Sequence, residues 1–112
     1  MVQYQSGLDR TFGALADPTR RGILARLGRG SATISELADP LGMSLTGLKK
    51  HVRVLEEAEL VTTEKVGRTR HCSLGPQDLT DVEQWVEAYK QSLDARLDRL
   101  GELLDRTKGD PR

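Results

Sequence analysis

Apolar side chains recur every three or four positions in two adjacent stretches between residues 33 and 58. This spacing places them on one face of each of two short helices. Thr33 and Glu36 have the spacing of a capping box at the start of the first helix, and Pro40 and Gly42 predict its end. Ser44 is a suitable N-cap for the second helix. The pattern predicts a helix-turn-helix with these core positions: Ile34, Leu37, Ala38 and Leu41 in the first helix, and Leu45, Leu48, Val52 and Leu55 in the second.

Two further helices are predicted before this unit. Apolar residues at helical spacing indicate a short amphipathic helix over residues 8–16. Asp17 is then a suitable N-cap, and Pro18 is the favoured first residue of another helix, which is expected to end near Gly28. Arg20 and the other arginines of this helix are predicted to lie on its solvated side.

A pair of short strands is predicted after the helix-turn-helix. Residues 60–63 are rich in β-branched side chains, and residues 70–74 also have strand character. Gly67 lies between them and predicts a chain reversal, so the strands would form a hairpin with a basic, exposed tip. A helix-turn-helix followed by such a hairpin is a winged helix, in which the hairpin is the wing.

The last apolar pattern covers about residues 77–106 and alternates steps of three and four residues over about four heptads. A domain this small cannot cover so long a stripe. We therefore predict a long helix that pairs with its copy in a homodimer, with part of the first helix in the same interface. The predicted interface residues are Leu8, Phe12, Leu79, Val82, Val86, Tyr89, Leu93 and Leu100.

Together these elements predict a mostly α-helical protein with a small β-hairpin, in the order α-α-α-α-β-β-α. This is the order of a winged helix-turn-helix fold. The length of 112 residues allows one domain, which we place at residues 8–106. Residues 1–7 and 107–112 are polar, lack periodicity and are predicted to be flexible.

Charge is balanced over the whole chain but unevenly distributed along it. There are 17 basic and 17 acidic residues, and this zero net charge is not typical of a nucleic-acid-binding protein. Residues 44–75, however, contain six basic and four acidic residues. The basic ones lie early in the second helix of the motif and in the hairpin, where a DNA-binding winged helix needs them.

The start of that second helix and the wing together predict a DNA-binding surface. Thr46 and Lys49 are expected to reach base edges, and Lys50, Arg68 and Arg70 to contact phosphates. A symmetric dimer with two such surfaces predicts an inverted-repeat operator in double-stranded DNA. The predicted DNA-contacting residues are Ser44, Leu45, Thr46, Gly47, Lys49, Lys50, Arg53, Lys65, Arg68 and Arg70.

The cysteine content and the absence of long apolar runs predict a cellular location. Cys72 is the only cysteine, so an intramolecular disulfide is excluded and the sequence fits a reducing cytoplasm. No stretch resembles a signal peptide or reaches the ~20 apolar residues that span a bilayer. We expect a cytoplasmic protein with no membrane partner.

The sequence contains no recognisable catalytic arrangement. His51 lies in the middle of a helix, and His71 and Cys72 are neighbours on a strand, so their side chains are expected to point to opposite faces. There is no glycine-rich phosphate loop, no HExxH motif and no paired-cysteine metal site. We predict neither an enzyme activity nor a cofactor.

Several local sequences resemble those of the ArsR family of bacterial winged-helix regulators. Residues 14–24, ALADPTRRGIL, are similar to the opening LADPTRRxIL of that family, and residues 51–61, HVRVLEEAELV, are similar to its HLxVLExAGLV. Residues 35–38, SELA, and residues 67–74 of the wing also match. The resemblance implies a homodimeric, usually repressing protein that docks the second helix of the motif in the major groove.

The chain departs from the family pattern at three places. Its recognition helix begins LTGLK at residues 45–49, where the family usually has Gln-Pro-Thr or Gln-Pro-Ala and then Val-Ser. His71 and Cys72 replace an aromatic pair in the wing. Thr33 and Ser35 stand where metal-sensing members carry a Cys-x-Cys step, and the last helix lacks histidine, so neither familiar metal site is predicted.

Two alternatives to a DNA-binding repressor are open at this point. The zero net charge, Gly47 and the acidic residues Glu56, Glu57 and Glu59 are also compatible with a winged helix that docks a protein partner. In the second alternative, Cys72 makes DNA binding responsive to oxidation, since neighbouring basic residues favour a thiolate. A lone cysteine in a small hairpin is, however, more often a buried apolar residue.

Overall fold

The computed structural model describes residues 6–109. The chain divides into two compact units, the first ending at Leu79 and the second beginning at Thr80. The elements in chain order are α1 (Ser6–Leu15), α2 (Pro18–Leu27), β1 (Ala32–Thr33), α3 (Ile34–Leu41), α4 (Leu45–Glu57), β2 (Val61–Val66), β3 (Thr69–Leu74) and α5 (Thr80–Gly109).

The predicted winged helix-turn-helix fold is confirmed, with one additional strand. β2 and β3 form the predicted antiparallel hairpin, and β1 pairs with the other edge of β3, giving the strand order β1-β3-β2. Ala32 lies opposite Cys72, and Thr33 lies opposite His71. A strand of two residues has no alternation of its own, so only its pairing with β3 reveals it.

The ends of the first and last helices differ from the prediction. α1 begins at Ser6, so the predicted flexible segment 1–7 overlaps the helix; residues 1–5 lie outside the described part. α5 begins at Thr80 instead of residue 77, because Leu79 has a φ of 65°, which an α-helix cannot contain. It continues to Gly109, so residues 107–109 belong to the helix, and residues 110–112 lie outside the described part.

The three predicted N-caps are confirmed by their hydrogen bonds. Asp17 Oδ2 accepts from the Arg20 N–H at 3.0 Å, and Ser44 Oγ accepts from the Gly47 N–H at 3.0 Å. At α3 the capping box is complete: Thr33 Oγ1 accepts from the backbone N–H of the glutamate three residues later at 3.1 Å, and its carboxylate accepts from the Thr33 N–H at 2.8 Å.

The predicted end of α3 is confirmed at Gly42 but not at Pro40. Pro40 lies inside the last turn, where its missing N–H removes only one helical hydrogen bond. The helix ends one residue later, because Gly42 adopts the left-handed conformation with a φ of 64° and its N–H bonds back to the carbonyls of Ala38 and Asp39.

The capping box at α3 predicts a pH dependence of stability. The Thr33 N–H that bonds the Glu36 carboxylate holds the pKa of Glu36 below its ordinary value of 4.5. The unfolded chain therefore binds more protons in this range, so the contribution to the free energy of unfolding is present above pH 4.5 and is lost as the pH falls through the folded-state pKa. In urea titrations between pH 7 and pH 3, we expect Glu36→Gln to lose less stability than the wild type.

The matched control for this experiment is Glu57→Gln, which removes an exposed carboxylate from α4. It should follow the wild-type pH profile more closely than Glu36→Gln does. Thr33→Ala should cost about 1 kcal/mol at neutral pH through loss of the cap. Identical pH profiles for Glu36→Gln and the wild type would refute the role assigned to this carboxylate.

The core of the first unit is built from one face of each helix and the inner face of the sheet. Ile23, Leu48, Leu55, Val61 and Cys72 are the largest fully buried apolar side chains. Two residues of the helix-turn-helix that were predicted to lie in the core are exposed. Leu41 is 42% exposed and Leu45 is 48% exposed, because each lies at the edge of its apolar stripe near a helix end.

The second unit is the single helix α5, whose 30 residues correspond to a length of about 45 Å. Leu79, predicted to lie on it, instead precedes it and packs against the core of the first unit. Val82 is half-buried. The rings of Trp85 and Tyr89 stack with a centroid separation of 5.6 Å. Large apolar residues are exposed along the helix: Trp85, Val86, Tyr89, Leu93, Leu97, Leu100, Leu103 and Leu104.

None of the helices within residues 6–109, α5 included, is both long enough and apolar enough to cross a membrane. α5 is long but not apolar enough, because charged residues alternate with its apolar ones.

Candidate nucleic-acid interface

The N-terminus of α4 carries the features of an anion-binding helix end. Residues 44–55 contain no aspartate or glutamate, so the unpaired N–H groups and the positive end of the helix dipole are not neutralised from within the helix. A side chain at Gly47 would place its Cβ 3.2 Å from Ser44 Oγ. Glycine therefore leaves space for the Ser44 cap that begins this helix.

Three exposed side chains form a stripe along one side of α4. Leu45, Lys49 and Arg53 follow each other at four-residue steps, so they lie one turn apart on the same face. The predicted contacts Thr46 and Lys50 are also exposed, but lie further round the helix. We call Leu45, Lys49 and Arg53 the reader stripe.

The wing is a tight hairpin with a basic, exposed tip. Gly67 and Arg68 are the two loop residues, and Gly67 has a φ of 64°, the conformation that glycine supplies at the first position of such a turn. Lys65 and Arg70 lie directly opposite each other in the hairpin. Like charges in this arrangement cost stability, and an anion bound between them would relieve the repulsion.

A hydrogen-bonded chain fixes the wing to α4. An Arg70 guanidinium N–H donates to Thr63 Oγ1 at 2.8 Å, and the Thr63 hydroxyl donates to Glu56 Oε2 at 2.7 Å. Arg70 therefore has a structural partner in addition to its predicted phosphate contact. Glu56, one of the acidic residues that are compatible with a protein-docking winged helix, serves to hold the wing.

An open groove lies between the reader stripe, the start of α3 and the wing, with a volume of about 430 Å³. It brings together half of the residues that were predicted to contact DNA: Leu45, Lys49, Lys65, Arg68 and Arg70. A smaller neighbouring groove adds Arg53 beside Lys49 and Arg70. Ser44, Thr46, Gly47 and Lys50 do not line either groove. Thr33, Ile34 and Ser35 also line the groove, at the start of α3, and were not among the predicted DNA contacts.

A second polar cluster behind α4 was also missed. Arg20 donates through Nε to the Ala14 carbonyl at 2.9 Å and through a terminal nitrogen to the Gly13 carbonyl at 3.1 Å. Its other terminal nitrogen lies 3.1 Å from His51 Nδ1, which must accept because a guanidinium can only donate. His51 Nδ1 is also 3.9 Å from Asp17 Oδ2.

The prediction that the arginines of α2 occupy a solvated face is therefore wrong for Arg20, whereas Arg21 is exposed as predicted. Arg20 is half-buried and joins the end of α1, the start of α2 and the middle of α4. Arg21 donates to the Leu15 carbonyl at the end of α1, and Arg26 donates to the Gly30 carbonyl in the loop after α2. Of these arginines, Arg20 is the one that bonds to α4, and it thereby positions the helix that carries the reader stripe.

Cys72 is fully buried in the core, on the side of the sheet that packs against the helices. Burial raises the pKa of its thiol above the ordinary value of 9.0, the Glu56 carboxylate raises it further, and the Arg70 guanidinium acts in the opposite direction. A buried thiol with a raised pKa is a poor nucleophile and a poor target for oxidants. The geometry opposes the hypothesis of a redox sensor.

Burial of Cys72 predicts slow labelling by thiol reagents. With 5,5′-dithiobis(2-nitrobenzoate) at pH 8, we expect the native protein to react at least about 100-fold more slowly than the urea-unfolded protein, because labelling requires opening of the core. The unfolded protein is the control for reagent and thiol. Stoichiometric labelling of the native protein at the unfolded rate would restore the redox hypothesis.

Within residues 6–109, no group of three or more His, Cys, Asp or Glu side chains has a geometry that could hold a metal ion. Thr33 and Ser35, at the start of α3, offer hydroxyl groups, which are poor ligands for transition metals.

Comparison with known proteins gives consistent matches. Residues 15–64 match a helix-turn-helix domain family. The HTH-type transcriptional regulator Rv2034 of Mycobacterium tuberculosis is 38% identical over 106 residues, which cover 88% of this chain and 98% of the relative. The transcriptional repressor SdpR of Bacillus subtilis is 30% identical over 79 residues, covering 70% of this chain and 88% of the relative. The crystal structure of the ArsR family transcriptional regulator RHA00566 is 44% identical with a TM-score of 0.75, and covers 84% of this chain and 97% of that one.

Proposed function

The chain belongs to the ArsR family of winged helix-turn-helix transcriptional regulators, and we propose that it is a homodimeric repressor that binds an inverted-repeat operator. Its relatives are transcriptional regulators, and the chain is not an enzyme. The observation that carries the proposal is the groove where cations of α4 and of the wing converge. SdpR is a transcriptional repressor, and this relative supports repression as the direction of regulation.

The DNA-binding mode follows from the shape and charge of this surface. α4 is the only helix whose exposed side combines an unneutralised N-terminus with a stripe of cations within the part of the chain that is described. An α-helix fits the major groove, where Lys49 can bond guanine O6 and N7. The wing then lies over the adjacent backbone, so that Lys65, Arg68 and Arg70 neutralise phosphates.

Homodimer formation is proposed from the surface of α5. Its exposed apolar residues occupy one stripe over much of the helix, and an apolar surface this extended marks a protein interface. A second copy offers an identical stripe, which is the self-complementary arrangement of a two-fold dimer. Two reader stripes related by this symmetry would contact half-sites about one helical turn, or 10 base pairs, apart.

The alternative of a protein-docking winged helix loses two of the observations that favoured it, Glu56 and Gly47. Glu56 is half-buried and accepts a hydrogen bond from Thr63, so it has a structural role in holding the wing, while Glu57 and Glu59 remain exposed. Gly47 is accounted for by the space it leaves beside the Ser44 cap. No further observation favours a protein partner at the groove.

Fluorescence anisotropy with the DNA upstream of its own coding sequence tests the proposal. The wild-type protein should bind this duplex at least about 100-fold more tightly than a shuffled duplex of the same composition, at a salt concentration near 150 mM. The shuffled duplex is the control for non-specific binding. Equal affinity for the two duplexes, together with failure to enrich any sequence from a random library, would contradict the proposed function.

A further inference from the structure

Leu45 occupies an unusual position for an apolar residue. It is the first residue of α4, directly after the Ser44 cap, and it leaves the core stripe that Leu48 and Leu55 follow. Its side chain is 48% exposed, whereas Leu48 and Leu55 are fully buried. Leu45 lines the groove, where all other lining side chains except the buried Ile34 are basic or carry a hydroxyl group. About half of its side chain therefore stays exposed and presents an apolar group where DNA is proposed to bind.

Only one apolar group is available to such a side chain in the major groove. The edges of guanine, cytosine and adenine present hydrogen-bond donors and acceptors there, whereas thymine also presents its C5-methyl group. A leucine cannot donate or accept a hydrogen bond, so it discriminates between bases only through apolar contact. Placing Leu45 beside a polar base edge would desolvate that edge without compensation.

We propose that Leu45 is a specificity-determining residue that recognises the C5-methyl group of a thymine in each half-site of the operator. This inference rests on the proposed function. Lys49 follows Leu45 by one turn on the reader stripe, which corresponds to about 6 Å along the helix. Successive base pairs are about 3.4 Å apart, so the thymine lies roughly two base pairs from the base pair that Lys49 contacts.

The test uses a duplex selected from a random library by the wild-type protein. Each thymine of the half-site is replaced in turn by deoxyuridine, which removes the methyl group and leaves base pairing unchanged. At one position the replacement should weaken wild-type binding about four-fold in one half-site and about fifteen-fold in both, from the loss of one buried methyl group per protomer. Leu45→Ala should bind the thymine and deoxyuridine duplexes with equal affinity.

Leu41→Ala is the matched control, because Leu41 is 42% exposed but lies on α3 and does not line the groove. It should retain the wild-type preference for thymine over deoxyuridine. The inference is overturned if no thymine position responds in the wild type, if the selected half-site lacks thymine, or if Leu45→Ala keeps the full deoxyuridine penalty. If the wild-type protein enriches no duplex at all, it is the proposed function that is contradicted, and this outcome is distinct from the three above.

Discussion

Replacing both Lys49 and Arg68 with alanine should lower the affinity for the operator at least about 100-fold. Each homodimer loses four cations, two from the reader stripes and two from the wing tips. If each lost contact costs about 1 kcal/mol, the total of about 4 kcal/mol corresponds to nearly a thousand-fold. Both side chains are exposed, so the free energy of unfolding should change little.

The salt dependence of binding gives this experiment a second and independent result. Loss of four cations should reduce the slope of log affinity against log salt by about 3.6, because fewer counterions are released from the DNA. Arg29→Ala is the matched control: it removes an exposed arginine that lines neither of the two grooves at the reader stripe. A double variant that keeps wild-type affinity and slope would show that the groove does not bind DNA.

The double substitution Leu93→Glu and Leu100→Glu should convert the homodimer into monomers. Both leucines are exposed on the apolar stripe of α5 and are seven residues apart, so they lie on the same face. Each leucine is about half exposed, so burying the exposed part contributes about 0.7–1.5 kcal/mol, or at least about 3 kcal/mol for the four leucines of a dimer. Burying a glutamate carboxylate in their place adds a further cost. Sedimentation velocity should show half the wild-type mass, and operator binding should be lost with it.

Gln84→Glu and Gln91→Glu introduce the same charge on the opposite face of α5 and form the matched control. Both positions are exposed. This variant should remain dimeric and bind the operator normally, since its new carboxylates face solvent. Circular dichroism checks that both variants keep their helices. If the variant with Leu93→Glu and Leu100→Glu sediments with the mass of the wild-type dimer, the subunit interface lies elsewhere.

The sequence predicted best the features that depend on neighbouring residues. The N-caps at Asp17, Thr33 and Ser44 each need only a side chain and an N–H three residues away, so local sequence contains the whole signal. The same holds for the left-handed end of α3 at Gly42 and the turn at Gly67.

Features that depend on distant residues were not predictable in this way. Arg20 and His51 are 31 residues apart, and only the packing of α2 against α4 brings them together. β1 exists because β3 pairs with it. The link from Glu56 through Thr63 to Arg70 likewise requires the fold, and it changes the interpretation of an acidic residue that had seemed to oppose DNA binding.

Within the candidate site, the residue types were predicted but their arrangement was not. The basic residues could be identified from charge clustering, and half of the predicted DNA contacts do line one groove. Leu45 follows the helical apolar pattern, so periodicity assigns it to the core. Its position in the first turn leaves it 48% exposed, which favours the other role predicted for it, a contact with DNA.

The most direct test of the central claim is to map the DNA-binding surface by NMR. Amide chemical shifts of the deuterated, ¹⁵N-labelled homodimer would be compared before and after addition of the selected duplex. We expect the largest changes in residues 44–53 and 65–70, with little change around Arg26 and Leu41 on the α2–α3 side. Changes concentrated at the α2–α3 side, with residues 44–53 and 65–70 unaffected, would contradict the account.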